Sequence, residues 1–232
     1  MLTLVALWIA YFSIHSLLAS LSCKQWVGRH WPQLTPYYRL GYNLIATVLL
    51  IPPLYLTLQL QGAEIIRWQG GWQWVSYLLI LSAVAAFLWT LRYYDGNNFL
   101  GLQPLQGSTT TDNPSPSADE GPLTISPLHR FVRHPWYSLA LILIWSRDLD
   151  LAQIVSGAVI TLYFIFGSLL EERKLCHLYG ERYRYYQKRV PGLIPLPWRY
   201  LSRQEGAWLQ TTATTEFTTT NTLSAKDRFI QD

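Results

Sequence analysis

Apolar positions along this chain come in long unbroken runs, not in the alternation of a strand or the stripe of an amphipathic helix. Leu2 to Leu21, Leu40 to Leu60, Trp74 to Leu91 and Leu151 to Leu170 are four such runs, each close to the length of a membrane crossing. A helix of about 20 apolar residues spans the ~30 Å hydrocarbon core of a bilayer. A fifth run, Pro135 to Trp145, is shorter. It makes roughly 17 Å of helix, so it crosses only if Leu128 to His134 also enters or if the segment is re-entrant. Asp148-Leu149-Asp150 turns the chain into the last run, and the two runs read as a hairpin. The pattern predicts an all-α integral membrane bundle of about five transmembrane helices, the last two forming a helical hairpin.

The segments between the runs sharpen this picture. Leu2 to Leu21 has no basic stretch before it and is too long for a signal-peptide core, so it reads as a retained helix. His15 lies inside it and is expected to hydrogen-bond a neighbouring helix. Pro52-Pro53 should kink the second run, because two backbone donors are lost there. Gly107 to Pro127, rich in Ser, Thr, Pro and Asp, is expected to be flexible. A polar tail from Ser202 to Asp232 is expected to be disordered, leaving residues 1–201 as the membrane domain.

Composition agrees. Half of the 232 residues are hydrophobic and only 14% are charged, against about 25% in ordinary soluble domains. The net charge of +4 sits in loops beside the runs, so it is not the footprint of a nucleic-acid binder. It sets a topology instead. With five crossings, sixteen of the eighteen Lys and Arg fall on one side, and only Arg67 and Arg147 on the other. The positive-inside rule then puts the N-terminus outside and the C-terminus in the cytoplasm, as for a bacterial inner-membrane protein. Cys23 and Cys176 lie in unrelated segments, and neither a disulfide framework nor a metal site follows from them.

The candidate chemistry is where the hairpin ends meet. His134 precedes the short run Pro135 to Trp145 and Glu171-Glu172 follow the run Leu151 to Leu170, so residues nearly forty apart come within reach of one another. Ionisable groups beside hydrocarbon are costly and mark functional sites. The N-terminus of a helix opened by Pro135 suits a carboxylate. Arg133 and His134 add donors, and Glu171 and Glu172 offer charge to an ammonium, a sulfonium or ribose hydroxyls. Tyr137, Tyr183 and Tyr186 could stack on a base or pack on a cation. These groups together match S-adenosylmethionine, but a plain network of Arg and Glu salt bridges would use the same residues.

Arg133-His134-Pro135-x-Tyr137, Glu171-Glu172-x-x-Leu175, Tyr179-Gly180-Glu181-x-Tyr183-x-x-Tyr186 and Arg189-Val190-Pro191 resemble the isoprenylcysteine carboxyl methyltransferase and phospholipid methyltransferase superfamily. The likeness covers about Leu128 to Pro195. His15 to Ser20, Tyr38-Arg39-Leu40-x-Tyr42-Asn43 and Phe99 to Gln103 resemble its bacterial branch, which includes methanethiol S-methyltransferase and NnrU-type proteins. The resemblance implies a cytoplasm-facing S-adenosyl-L-methionine site within residues 128–200, built by Arg133, His134, Pro135, Tyr137, Glu171, Glu172 and Tyr183. It implies a membrane-embedded methyltransferase, with a small thiol such as methanethiol as expected acceptor and membrane lipids around it. A prenylcysteine carboxyl, a phospholipid amine or a non-enzymatic protein of the same fold are the alternatives. A thiol acceptor must lose a proton, and His134, Glu172 and His15 are the candidates to assist. The expectation for the two carboxylates is that Glu171 faces the cofactor while Glu172 pairs with Arg133 or Arg189.

Overall fold

In a computed structural model, residues 1–93, 96–102 and 125–210 are described. Most of the expected flexible segment, 107–124, and the end of the tail, 211–232, lie outside them. The chain forms two compact units. One comprises Met1–Asp112 and Leu139–Phe166, the other Asn113–Ser138 and Gly167–Asp232.

The first unit holds α1 (Leu2–Ala19), α2 (Leu21–His30), α3 (Tyr38–Gln59), β1 (Glu64–Ile66), α4 (Gly71–Thr90) and α5 (Gly96–Leu100). It also holds most of α6 (Pro135–Trp145), β2 (Leu149–Asp150) and the start of α7 (Leu151–Arg189). Among the described residues, four helical segments are long and apolar enough to cross a membrane: Leu2–Ala19, Pro32–Gln59, Gly71–Tyr93 and Leu151–Arg189. The expected fifth, α6, has 11 residues and does not reach that length by itself. In α4, Trp72, Trp74, Leu78, Leu81 and Leu88 are all exposed. A helix that is apolar on every face suits an apolar surround such as a bilayer.

Polar groups join these apolar helices, as expected where a hydrocarbon surround would offer no other partner. Trp8 Nε1 donates to Ser156 Oγ at 2.9 Å, and the Thr57 hydroxyl meets the same oxygen at 2.8 Å, tying α1, α3 and α7. His15 Nε2 lies 2.9 Å from the Tyr42 hydroxyl. Both prolines of the second run sit inside α3, which runs on to Gln59, and Thr57 Oγ1 donates back to the Pro53 carbonyl one turn earlier. The first run forms one helix, α1, up to Ala19. Ser20 is extended and its Oγ accepts from Cys23 N–H, so it ends α1 and caps α2.

The expected turn at 148–150 is more than a turn. Leu149–Asp150 pairs antiparallel with Glu64–Ile66, and Asp148 Oδ1 accepts from Trp68 N–H at 2.7 Å. Asp150 and Gln153 cap each other's backbone N–H and start α7. Gly157 then lets α7 approach α6, for a Cβ there would lie 2.9 Å from Ile144 Cγ2, and Trp145 Nε1 reaches Thr161 Oγ1 at 3.0 Å. The segment 96–102 docks on α3, where Asn43 Nδ2 donates to the carbonyls of Phe99 and Leu100, each at 3.1 Å.

The second unit depends on a break in α7. Gly180 has φ 56° and ψ −134°, far from helical. A straight helix would separate residues 172 and 187 by about 22 Å, yet Gln187 Nε2 donates to Glu172 Oε2 at 2.9 Å. The chain therefore doubles back at Gly180. Its returning arm buries Tyr183, Tyr186 and Val190 against Ile125, Leu201 and Leu209, with Leu175, Cys176 and Tyr179 packed beside them.

Leu209 corrects the reading of the tail. Residues 203–210 are helical and form α8. Ser202 and Glu205 make a reciprocal capping box, with bonds of 3.1 and 2.7 Å, and Gln210 Nε2 donates to the Ile125 carbonyl. Leu209 is fully buried in the core of this unit and anchors the segment together with these bonds. The folded region extends past Leu201 to at least residue 210.

Candidate functional site

The second unit fixes a charged cluster with its backbone first. Arg133 N–H donates to the Pro191 carbonyl at 2.9 Å and His134 N–H to that of Gly192 at 3.1 Å. The Val190-Pro191-Gly192 segment thus lies alongside Arg133-His134, at the start of α6. A Cβ at Gly192 would lie in ordinary contact with the ion pair, 3.4 Å from Arg133 Nη2 and 3.7 Å from Glu172 Oε1.

From this frame Arg133 reaches Glu172. Its Nε and Nη2 lie 2.8 and 2.7 Å from Glu172 Oε1, while Nη1 donates to the carbonyls of Gln187 and Val190. The guanidinium thus clamps the two arms of α7 together. His134 Nε2 shares the same oxygen at 3.0 Å, and Nδ1 faces Glu171 Oε2 at 3.4 Å. Both carboxylates only accept, so two ring nitrogens against them favour the imidazolium. Burial works against that charge, but the hydrogen bonds and charges of Glu171 and Glu172 outweigh it and raise the His134 pKa above its ordinary value. His129 goes the other way. Burial first, and then the nearby charge of His134, push it down to about 4, and its Nδ1 meets Ser126 Oγ at 2.7 Å.

The helical period separates the two glutamates, since neighbours lie about 100° apart. Glu172, Leu175, Cys176 and Tyr179 form the inner stripe of α7, at the spacing of one helical face. The Glu172 side chain is 8% exposed and that of Glu171 is 50% exposed. Arg189 takes no part. It pairs with Glu205 at 2.8 Å, so the partner of Glu172 is Arg133. Arg173 and Lys174 are exposed on the outer face.

Six of the seven residues expected to form the site gather here. Pro135 opens α6, and the Tyr137 ring stacks on His134 with centroids 5.5 Å apart and planes 10° from parallel. The seventh, Tyr183, is 2% exposed in the apolar core, edge-on to Tyr186. It supports the cluster from behind and has no open face for stacking. Tyr186 is equally buried and donates to the His129 carbonyl at 2.6 Å. Gln187 is the participant that sequence reasoning missed. No local pattern marks it, because its approach to Glu172 exists only after the reversal at Gly180.

Among curated proteins, the chain is 29% identical over 192 residues to a methanethiol S-methyltransferase of Pseudomonas deceptionensis, covering 78% of this chain and 67% of that protein. It is 31% identical over 199 residues to methanethiol S-methyltransferase 1 of Bradyrhizobium diazoefficiens, covering 82% of this chain and 65% of that protein. The chain is homologous to methanethiol S-methyltransferases. A third protein of that name, from Crocosphaera subtropica, is 35% identical over 68 residues. The chain spans about two thirds of the length of the first two methanethiol S-methyltransferases. No family model and no solved structure matches it.

Proposed function

We propose that this chain is a membrane-embedded methyltransferase that uses S-adenosyl-L-methionine to S-methylate a small thiol such as methanethiol. The observation that carries the reading is homology to methanethiol S-methyltransferases over about four fifths of the chain. The charged cluster fits that donor. Glu171 is a half-exposed carboxylate suited to an ammonium or a cationic sulfur, and it sits beside His134 and the ring of Tyr137. The start of α6 adds the positive end of a helix for a carboxylate.

When bound, S-adenosyl-L-methionine supplies a methyl group on cationic sulfur, and in-line displacement requires no protein nucleophile. The task left to these residues is to align the donor and exclude water. Glu172 is saturated by Arg133, His134 and Gln187, and both nitrogens of His134 face carboxylates. We therefore give His134 and Glu172 a binding and orienting role, and we do not assign the proton of the thiol to either. Tyr183 is left out of the ligand set because of its burial.

Labelled S-adenosyl-L-methionine should bind purified protein in detergent, and Glu171→Gln should weaken binding. A charged hydrogen bond contributes about 1.5–3 kcal/mol, roughly ten- to a hundredfold. Equal affinity for Glu171→Gln and wild type would remove Glu171 from the site.

The finer topology belongs to the same proposal. Five crossings, with α6 as the short fifth, an external N-terminus and a cytoplasmic C-terminus rest on the sixteen-to-two distribution of basic residues. A reporter fused after Asp232 should read cytoplasmic, and an external reading would overturn the orientation.

A further inference from the structure

A chain of hydrogen bonds leads away from the charged cluster. Glu172 Oε1 is taken by Arg133 and His134, whereas Oε2 is held by Gln187 Nε2 at 2.9 Å. The orientation of that amide is forced. A carboxylate offers no donor, so the NH₂ of Gln187 must face Glu172 and its oxygen must face away. The oxygen meets Cys176 Sγ at 3.1 Å, one turn along α7 from Glu172, where the thiol donates. The Gln187 backbone is pinned too, because its carbonyl accepts from Arg133 Nη1 at 3.0 Å and Arg199 Nη2 at 3.1 Å. A half-buried amide with both ends of its head group satisfied and its main chain doubly held is built for one geometry.

We propose that Gln187, oriented by the Cys176 thiol, is a positioning residue of the cofactor site: it fixes the Glu172 carboxylate and, through it, His134. This deepens the reading of the cluster as the S-adenosyl-L-methionine site and rests on it. Glu172 has one oxygen on the cations and one on the amide. Removal of the amide leaves Oε2 without its partner and the carboxylate held at Oε1 alone, which loosens the acceptor that fixes His134. Gln187 touches no substrate in this scheme. It acts through Glu172.

The test is equilibrium binding of labelled S-adenosyl-L-methionine, as a function of pH, to detergent-purified protein that elutes as a single species. Gln187→Leu keeps bulk and removes the donor, and should weaken binding about tenfold. Gln187→Glu is the diagnostic variant. Its neutral acid can donate to Glu172 in place of the amide, while its carboxylate repels Glu172. The charged and titratable groups around that position are Glu172, Cys176, Arg133 and Arg199, with His134 and Glu171 beyond Glu172. The affinity of Gln187→Glu should therefore approach wild type at low pH and fall away from it as pH rises, whereas the deficit of Gln187→Leu should stay constant. A residue that merely fills space would give neither the recovery nor the contrast. If Gln187→Leu does not fold, the titration of Gln187→Glu decides. If neither folds, Cys176→Ser should bind like wild type while Cys176→Ala binds several-fold more weakly. Wild-type affinity in Gln187→Leu, or a Gln187→Glu deficit independent of pH, would overturn the role of Gln187 while leaving the cofactor site intact. Failure of the wild type itself to bind would remove the site, and with it the positioning role.

Discussion

Replacing Glu172 with Leu is expected to lower stability by about 3–5 kcal/mol, the usual cost of removing one partner from a buried ion pair. Arg133 and Glu172 side chains are 12% and 8% exposed. One carboxylate there answers three side chains, Arg133, His134 and Gln187. Leu cannot accept from any of them, and the guanidinium would stay buried with only carbonyls to meet it. Against a total of about 5–15 kcal/mol for a typical fold, the loss is a large fraction. Glu171→Leu is the control, because its carboxylate is half exposed and makes one long contact to His134. Unfolding in detergent, followed by helical signal, reads both. A loss below about 1 kcal/mol in Glu172→Leu would show that Arg133 is held by the Gln187 and Val190 carbonyls alone.

Gly101→Ala should be comparably damaging in the other unit. Gly101 has φ 77°, and a Cβ there would lie 2.6 Å from Leu40 N and 3.0 Å from Arg39 Cβ. The backbone conformation alone costs a side chain about 1–3 kcal/mol. The collision is with the main chain of α3 and cannot be relieved by turning a rotamer, so the 96–102 segment must lift and the Asn43 bonds to Phe99 and Leu100 must stretch. Gly41 lies next to the same contact, inside α3, with nothing within 4 Å of its would-be Cβ. Gly41→Ala should be neutral or stabilising by up to about 1 kcal/mol. Equal behaviour of the two variants in thermal unfolding would mean that the docking of this segment contributes nothing.

Much of this architecture was legible because each apolar run reports its own length and the bilayer sets the scale. The meeting of His134 with Glu171 and Glu172 was legible for the same reason: a short run and a long run joined by a tight turn bring their far ends together. The separation of the two glutamates followed from the helical period. What was not legible depended on backbone reversals or on partners distant in sequence. Gly180 looks like an ordinary helix glycine until its dihedrals are known, and the roles of Gln187 and Tyr183 hang on the turn it makes. The strand pair at Glu64 and Asp150 is too short to leave a periodic signal. The tail was a different kind of miss. Ser202-Arg203-Gln204-Glu205 has the spacing of a capping box, followed by an apolar Leu209, and the polar composition around it hid both.

On the proposed reading, this chain moves a methyl group from S-adenosyl-L-methionine to a small thiol. The most direct test gives purified protein methanethiol, phosphatidylethanolamine or a prenylcysteine with methyl-labelled S-adenosyl-L-methionine, and follows label in the headspace and in the lipid phase. The expected result is labelled dimethyl sulfide in the headspace with methanethiol, dependent on protein and reduced in Glu171→Gln. Label in the phospholipid or the prenylcysteine and none in the headspace, or transfer to no acceptor by protein that binds the donor, would contradict it.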